Sequence, residues 1–343
     1  MVAMTEGQKA VVSPEAVDFL TKLKHLPFAS LLSGVLTMPS RITSLRETVA
    51  SNMAPGEAAL IEKHDLRIKR VTIGGVPVVV IEPPFIAPEK QHKIMFNVFG
   101  GGFTLGSPQD RAALITAAEL GVRVYSPDIT RSPEARYPVA RDQCLAVYRA
   151  LIQQGPPGGS GPIDPADIYA QGSSSGGQIL LSMLIRAHMD KTPLPTAGLY
   201  LCTPAADLSG AGDSLVSNAR DRDVLPGSFL WSMAQQNYPP LVDGAAAGGS
   251  FDDKDPEYSP VYYTGYEPST FPRTVITVGT RDFLMSSGIR MYWRLRDAGV
   301  EAELLVYEGM WHGFNWDQNV PEAKKAREDV FSFLERRDIT NKA

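Results

Sequence analysis

From about residue 65 onward, short apolar runs alternate with stretches of helical period. Runs such as Val76–Glu82 (VPVVVIE), Lys93–Phe99 (KIMFNVF) and Arg273–Val278 (RTVITV) are close to unbroken Val, Ile, Met and Phe. A strand wetted on one face alternates apolar and polar residues, so an unbroken run suits a strand covered on both faces. Further strands are predicted at Arg67–Ile73, Val122–Ile129, Asp167–Gln171, Gly198–Thr203 and Ala302–Tyr307. Between them, amphipathic spacing predicts helices over Asp110–Leu120, Tyr137–Gln154, Gly176–Met189, Ser287–Ala298 and Pro321–Arg337. The alternation predicts an α/β chain with a doubly wound, mostly parallel sheet of eight strands flanked by helices. The first three strands, joined by short links, are expected to be partly antiparallel.

Two segments break the pattern. One is the first 60 residues or so, with helical apolar spacing in AVDFLTKLKHLPFASLL; the other is Ala206–Pro268, rich in Asp, Gly and Ser but holding GSFLWSMAQQNY. Long insertions in open α/β sheets tend to cover the carboxyl ends of the strands, where ligands bind. The expected organisation is therefore a core of residues 61–205 and 269–343, with a helical cap formed by residues 1–60 and the insertion 206–268.

Composition narrows the partners. The 343 residues are 43% hydrophobic and 21% charged, ordinary for a soluble domain able to bury a sizeable core. A net charge of -5 leaves no basic footprint, so neither nucleic acid nor an anionic membrane is expected as a partner. The N-terminal MVAMTEGQKAVVSPEAV lacks a continuous apolar core, so no secretory leader and a cytoplasmic location are expected. No apolar run approaches the ~18 residues of a membrane span. Cys144 and Cys202 both lie in apolar surroundings and are expected to be buried thiols, with no metal site or cofactor.

The strongest chemical signal is YAQGSSSGGQILL. Gly172-Ser173-Ser174-Ser175-Gly176 is a G-x-S-x-G pattern between a strand and a helix, the context that pattern demands. The two glycines allow a sharp strand-to-helix turn and single out Ser174, whose hydroxyl then projects from the sheet edge above a helix N-terminus. A serine nucleophile needs a base and an orienting carboxylate, in the chain order Ser, acid, His. Of five histidines (His25, His64, His92, His188, His312), only His312 follows Ser174 near a strand end. For the acid, Asp282 lies just after a predicted strand neighbouring the one that leads to His312, and Asp207 is the competitor. A tetrahedral intermediate also needs preorganised N–H donors. Ser175 supplies one; FNVFGGGFTLGS, with Gly101 and Gly102 able to turn bare backbone inward, supplies the others.

Together these motifs resemble the hormone-sensitive-lipase-like esterases of the α/β-hydrolase fold, over roughly Lys93 to the C-terminal helix. The resemblance extends to SPDITRSPEARYPVARDQC, through Asp128, Arg131, Pro133, Glu134 and Pro138, to DPEYSP at Asp255–Pro260, and to GDSLVSNARDRDVL. It implies a triad of Ser174, Asp282 and His312 and an oxyanion hole of Gly101, Gly102 and Ser175. Two departures stand out: Phe99 occupies the place of the histidine in the family's H-G-G-G loop, and serines flank the nucleophile where the family's motif reads G-D-S-A-G-G. The expected activity is that of a carboxylesterase or lactonase acting on a small to medium apolar ester. A non-hydrolytic acyl transfer, elimination or cyclisation is the alternative; a receptor-like binding protein is disfavoured by the presence of His312. Phe103, Phe28, Leu31, Phe229, Trp231 and Met233 are candidates for the pocket wall, and a homodimer is compatible with the chain.

Overall fold

The computed structural model describes residues 4–22, 39–159, 161–219, 222–241 and 251–336. Strands β1 (Arg67–Ile73), β2 (Val76–Glu82), β3 (Ile94–Val98), β4 (Arg123–Pro127), β5 (Ile168–Ser173), β6 (Gly198–Cys202), β7 (Thr274–Gly279) and β8 (Ala302–Tyr307) form one sheet. Its order is β1, β2, β4, β3, β5, β6, β7, β8. β2 is antiparallel to both β1 and β4, whereas β3 is already parallel to β4 and to β5. The first three strands are thus partly antiparallel, as expected. From β3 to β8 every neighbouring pair is parallel.

The unbroken apolar runs have a direct cause: alternate residues feed two separate cores. Val78, Val80, Phe96, Val98, Leu201 and Ile276 point into one, and Val79, Ile81, Met95, Tyr200 and Val275 into the other. Helices α5 (Val139–Gln153) and α6 (Ser175–Met189) cover the first face; α4 (Arg111–Leu120) and α10 (Pro321–Glu335) cover the second. At about 25 cal/mol per Å² of apolar surface, this two-sided burial is the main force holding the sheet in place.

Polar residues interrupt the apolar runs at one point. Asn97 on β3 donates to Ser126 Oγ at 2.9 Å, Gln171 on β5 donates to Asn97 Oδ1 at 2.8 Å, and Thr116 on α4 donates to Gln171 Oε1 at 2.9 Å. All four are buried, so each needs these partners, and the network ties the carboxyl ends of β3, β4 and β5 together. The strand order reverses at β3, which has β4 on one side and β5 on the other. Ligands bind at such a reversal in open α/β sheets.

Outside the sheet lie α1 (Glu6–Lys9), α2 (Pro14–Lys22), α3 (Pro39–Lys63), α7 (Ser214–Ser217), α8 (Gly227–Asn237) and α9 (Met285–Asp297). The 25-residue α3 was not foreseen: its apolar residues are scattered around the helix, and Pro55-Gly56 sits inside it. Ile42 of α3 packs with Phe229 and Met233 of α8, so the N-terminal region and the insertion meet. No helix among the described residues is long and apolar enough to cross a membrane.

Candidate active site

Val98 is in register with Gly172, so the glycine loop after β3 and the turn after β5 leave the sheet side by side. Ser174 occupies that turn with φ 55 and ψ -122, a conformation that costs a non-glycine residue roughly 1–3 kcal/mol. Hydrogen bonds hold it: its N–H donates to Cys202 O at 2.9 Å, and its carbonyl accepts from Gly177 and Ala205 N–H, both at 3.0 Å. A Cβ on Gly176 would lie 2.1 Å from Val98 O and 2.4 Å from Phe99 O, so the turn presses its bare backbone on β3. Ser175, the residue after Ser174, begins α6, where N–H groups lack intrahelical acceptors.

Asp282 and His312 follow the adjacent strands β7 and β8. Asp282 Oδ1 lies 2.8 Å from His312 Nδ1, with the aspartate fully buried and the histidine nearly so. The same oxygen accepts from Leu284 N–H at 2.7 Å. An ionised carboxylate only accepts, so Nδ1 carries the proton and Nε2 keeps its lone pair. Burial alone would depress the imidazole pKa. The charge and hydrogen bond of Asp282, joined by the charge of Asp223, outweigh it and leave the pKa raised above 6.5. The competing carboxylate, Asp207, is engaged elsewhere: it pairs with Arg290 and accepts from Ser209 Oγ at 2.6 Å.

The glycine loop is shaped by its own hydrogen bonds. Gly101 O accepts from Leu105 N–H at 2.7 Å and Thr104 N–H at 3.2 Å. Because a trans peptide sets C=O and N–H on opposite sides, the Gly102 N–H then faces away from those residues. Gly101 has φ 129, and a Cβ there would fall 2.5 Å from the backbone of Leu105. Cations and a peptide N–H hold the loop's other carbonyls. Arg131 Nη1 donates to Gly106 O at 2.6 Å, Arg46 Nε to Thr104 O at 2.6 Å, and Ser132 N–H to Phe103 O at 2.9 Å. Phe99 is buried in the core on the α5–α6 face and packs against Gly106.

Gly102, Phe103, Ser174, Ser175 and Trp231 line one small pocket of about 30 Å³, together with Ala205, Leu208, Leu230, Ala234, Phe283 and Leu284. Gly101 is not among the lining residues. Phe103 stacks on Tyr238 with ring centroids 3.6 Å apart. Phe229 belongs instead to the α3–α8 contact, with Met233 beside it; Phe28 and Leu31 lie outside the described residues. A far larger cleft, about 1080 Å³, runs between α2, α3 and residues 317–320, but none of Ser174, Asp282 or His312 lines it. The chemistry, not the volume, locates the site.

Sequence reasoning missed Asp223, buried beside Asp282 and His312. One ligand atom from each of the three lies within 4.8 Å of the others, a spacing that a metal ion would accept. Nδ1 is engaged by Asp282 Oδ1 and both Asp223 oxygens accept backbone N–H groups, whereas Asp282 Oδ2 is buried without a hydrogen-bond partner among the described residues. Leu230, Phe283 and Leu284 were also missed as lining, although the last two directly follow Asp282 in the chain.

Comparison with known proteins places the chain among the α/β hydrolases. The family described as alpha/beta hydrolase fold matches residues 95–315. An esterase of Acinetobacter venetianus is 27% identical over 94% of this chain and 100% of its own length. A Mycobacterium tuberculosis protein described as an acetyl-hydrolase, LipR, is 31% identical over 77% of this chain and 79% of its own. The crystal structure of esterase E25 matches with a TM-score of 0.79 at 26% identity, covering 97% of both chains. EstE7, a hormone-sensitive-lipase homologue from a metagenome library, matches at 0.67 and 26%, covering 93% of this chain and 97% of its own.

Proposed function

This chain belongs to the α/β-hydrolase fold family and is an ester hydrolase related to the hormone-sensitive-lipase esterases; on that premise we propose that it cleaves short-acyl carboxylic esters or lactones through an acyl-enzyme on Ser174. Ser174 Oγ attacks the carbonyl carbon while His312 Nε2 takes its proton. Asp282 keeps the imidazole in the tautomer that can accept it and stabilises the imidazolium that results. The tetrahedral oxyanion is held by the N–H groups of Gly102 and Ser175, with Gly101 setting the direction of the first. Collapse returns the proton to the leaving alkoxide, and water then repeats the cycle on the acyl-enzyme.

The Asp282–His312 hydrogen bond, formed by residues that follow neighbouring strands at the same edge of the parallel sheet as a serine on a strained turn, carries this reading. The acyl limit rests on the cavity. At about 30 Å³ the space beside Ser174 is small, and we take it to favour a short acyl group. Four of its lining residues, Leu208, Leu230, Trp231 and Ala234, come from the 206–268 insertion, so we take this segment, with α3, as the cap that sets acyl length.

Steady-state kinetics on a p-nitrophenyl ester series from acetate to octanoate, with mass spectrometry after a fluorophosphonate, tests the proposal. Expected are one adduct, on Ser174, a loss of turnover of about 10³-fold or more in Ser174→Ala, and acetate preferred to octanoate. Turnover surviving Ser174→Ala defeats the nucleophile assignment, and an octanoate optimum defeats the acyl limit.

A further inference from the structure

The hydrolytic scheme leaves Asp223 unused. It sits in the insertion between α7 and α8, far in sequence from both catalytic loops, yet it is fully buried. Its Oδ2 accepts from the N–H of Phe283, the residue after Asp282, at 2.8 Å. Its Oδ1 accepts from the N–H of His312 at 3.1 Å and from Val224 N–H at 2.7 Å. Asn218, on the same insertion, donates to the carbonyls of Asp282 at 3.0 Å and Thr280 at 3.2 Å. On its other flank, a Cβ on Gly227 would lie 2.8 Å from the Phe283 ring, so the insertion rests directly on the acid loop.

We propose that Asp223 is a positioning residue of the ester-cleaving centre, fastening the Asp282 and His312 loops to each other through the inserted segment and placing a second negative charge behind the imidazole. Docking of the insertion and alignment of acid and base are then one event. The proposal rests on the triad reading above.

The choice of a carboxylate needs explaining, because an Asn or Ser could accept a backbone N–H at far lower cost. Burial first, and then the like charge of Asp282, push the Asp223 pKa up to about 6. A charge so costly to bury makes sense where it acts electrostatically. The imidazole faces two carboxylates, Asp282 and Asp223, and the charge of each favours its protonated form. Arg281, buried and itself facing Asp223, Arg222 and Glu308, completes the charged surroundings. When the Ser174 proton moves to Nε2, the new positive charge thus meets two negative groups, and Asp223 itself neither gains nor loses a proton.

The test uses the full chain with p-nitrophenyl acetate. Asp223→Asn and Asp223→Ser are read for kcat, KM, the pH profile and thermal unfolding, and Asp223→Asn is repeated in an Asp282→Asn background. A displaced triad loses roughly tenfold to a hundredfold in kcat, and KM stays within about twofold because the acyl cavity is untouched. With one negative charge gone the imidazolium is less favoured, so the acid limb of kcat/KM moves to lower pH. In the Asp282→Asn background the effect of Asp223→Asn shrinks to less than about threefold, because groups acting as a unit are not additive. A kcat within about threefold of the parent with an unmoved limb overturns the proposal. So does a rise in KM alone. If the Asn variant does not fold, the Ser variant carries the same readouts; if neither folds, Asp223 is structural only and the assignment falls. Parent turnover lost in Ser174→Ala but kept in Asp223→Asn defeats Asp223 alone, whereas turnover surviving Ser174→Ala defeats the triad beneath it.

Discussion

Two adjacent glycines of the donor loop should respond in opposite ways to the same added methyl group. At Gly101, φ is 129 and an ideal Cβ would lie 2.5 Å from both C and O of Leu105 and 2.8 Å from Gly106 N. All three atoms are backbone, so no rotamer change relieves the clash. The loop must open, losing the Leu105 and Thr104 N–H bonds to Gly101 O at about 1 kcal/mol each and releasing the amide plane that aims the Gly102 N–H. At Gly102, φ is 59, within the left-handed region that an L residue enters at a cost of about 1–2 kcal/mol. Its nearest neighbour would be Met233 Cε at 3.1 Å, the tip of a flexible side chain that can give way. Gly102→Ala should therefore unfold a few degrees lower, on the order of 2–4 °C per kcal/mol, and keep kcat within about tenfold. Gly101→Ala should lose about 10² to 10³ in kcat, the value of one oxyanion donor. Steady-state hydrolysis of p-nitrophenyl acetate alongside thermal unfolding measures both. A folded Gly101→Ala protein with kcat within about tenfold of the parent, or a Gly102→Ala protein equally damaged in kcat, would refute the donor geometry.

Three further outcomes follow from the same site. Because the His312 pKa is raised and the base must be neutral to act, kcat/KM should climb with pH through a limb lying above 6.5, and a limb at or below that value contradicts the electrostatics. Phe99→His places an imidazole among apolar neighbours, and Arg46 and Arg131 already serve the loop's carbonyls. Unfolding should come earlier by about 1–3 kcal/mol with no gain in turnover, and a several-fold rise in kcat would show that the loop lacked an anchor. Leu230→Ala widens the acyl cavity on the α8 side. The hexanoate-to-acetate ratio of kcat/KM should rise by at least about tenfold, since each methylene accommodated is worth roughly 1–3 kcal/mol, and an unchanged ratio would remove Leu230 from the acyl wall.

The strands and the nucleophile turn were legible for local reasons. A parallel strand feeding two cores must be apolar at nearly every position, and the turn at Ser174 tolerates only bare backbone where Gly176 meets β3. Asp282 and His312 were found by chain order, because strand ends deliver their loops to one edge of the sheet. Elements without a period of their own were harder. Helix α3 has little amphipathic signal and reads as a break at Pro55-Gly56, although it closes on α8 through Ile42. Asp223 has neither strand nor helix to announce it; its role exists only where three remote segments converge. Phe229 and Trp231, two positions apart on α8, looked alike as apolar cap residues. Helical rotation sends the first toward α3 and the second to the cavity.

Arg46 reaches from α3 into the glycine loop, donating to the carbonyls of Thr104 and Ser132 while its outer nitrogens meet Glu134. The donor loop is thus not a transplantable cassette. Moving FGGG into a foreign scaffold would carry over the glycines but not the guanidinium that holds the Thr104 carbonyl beyond them. A chain shortened to begin after α3 would keep the sheet, the serine turn and the acid–base pair, and still mishandle its first tetrahedral intermediate. In this protein the reach of the proposed oxyanion hole along the chain begins more than fifty residues before the first glycine assigned to it.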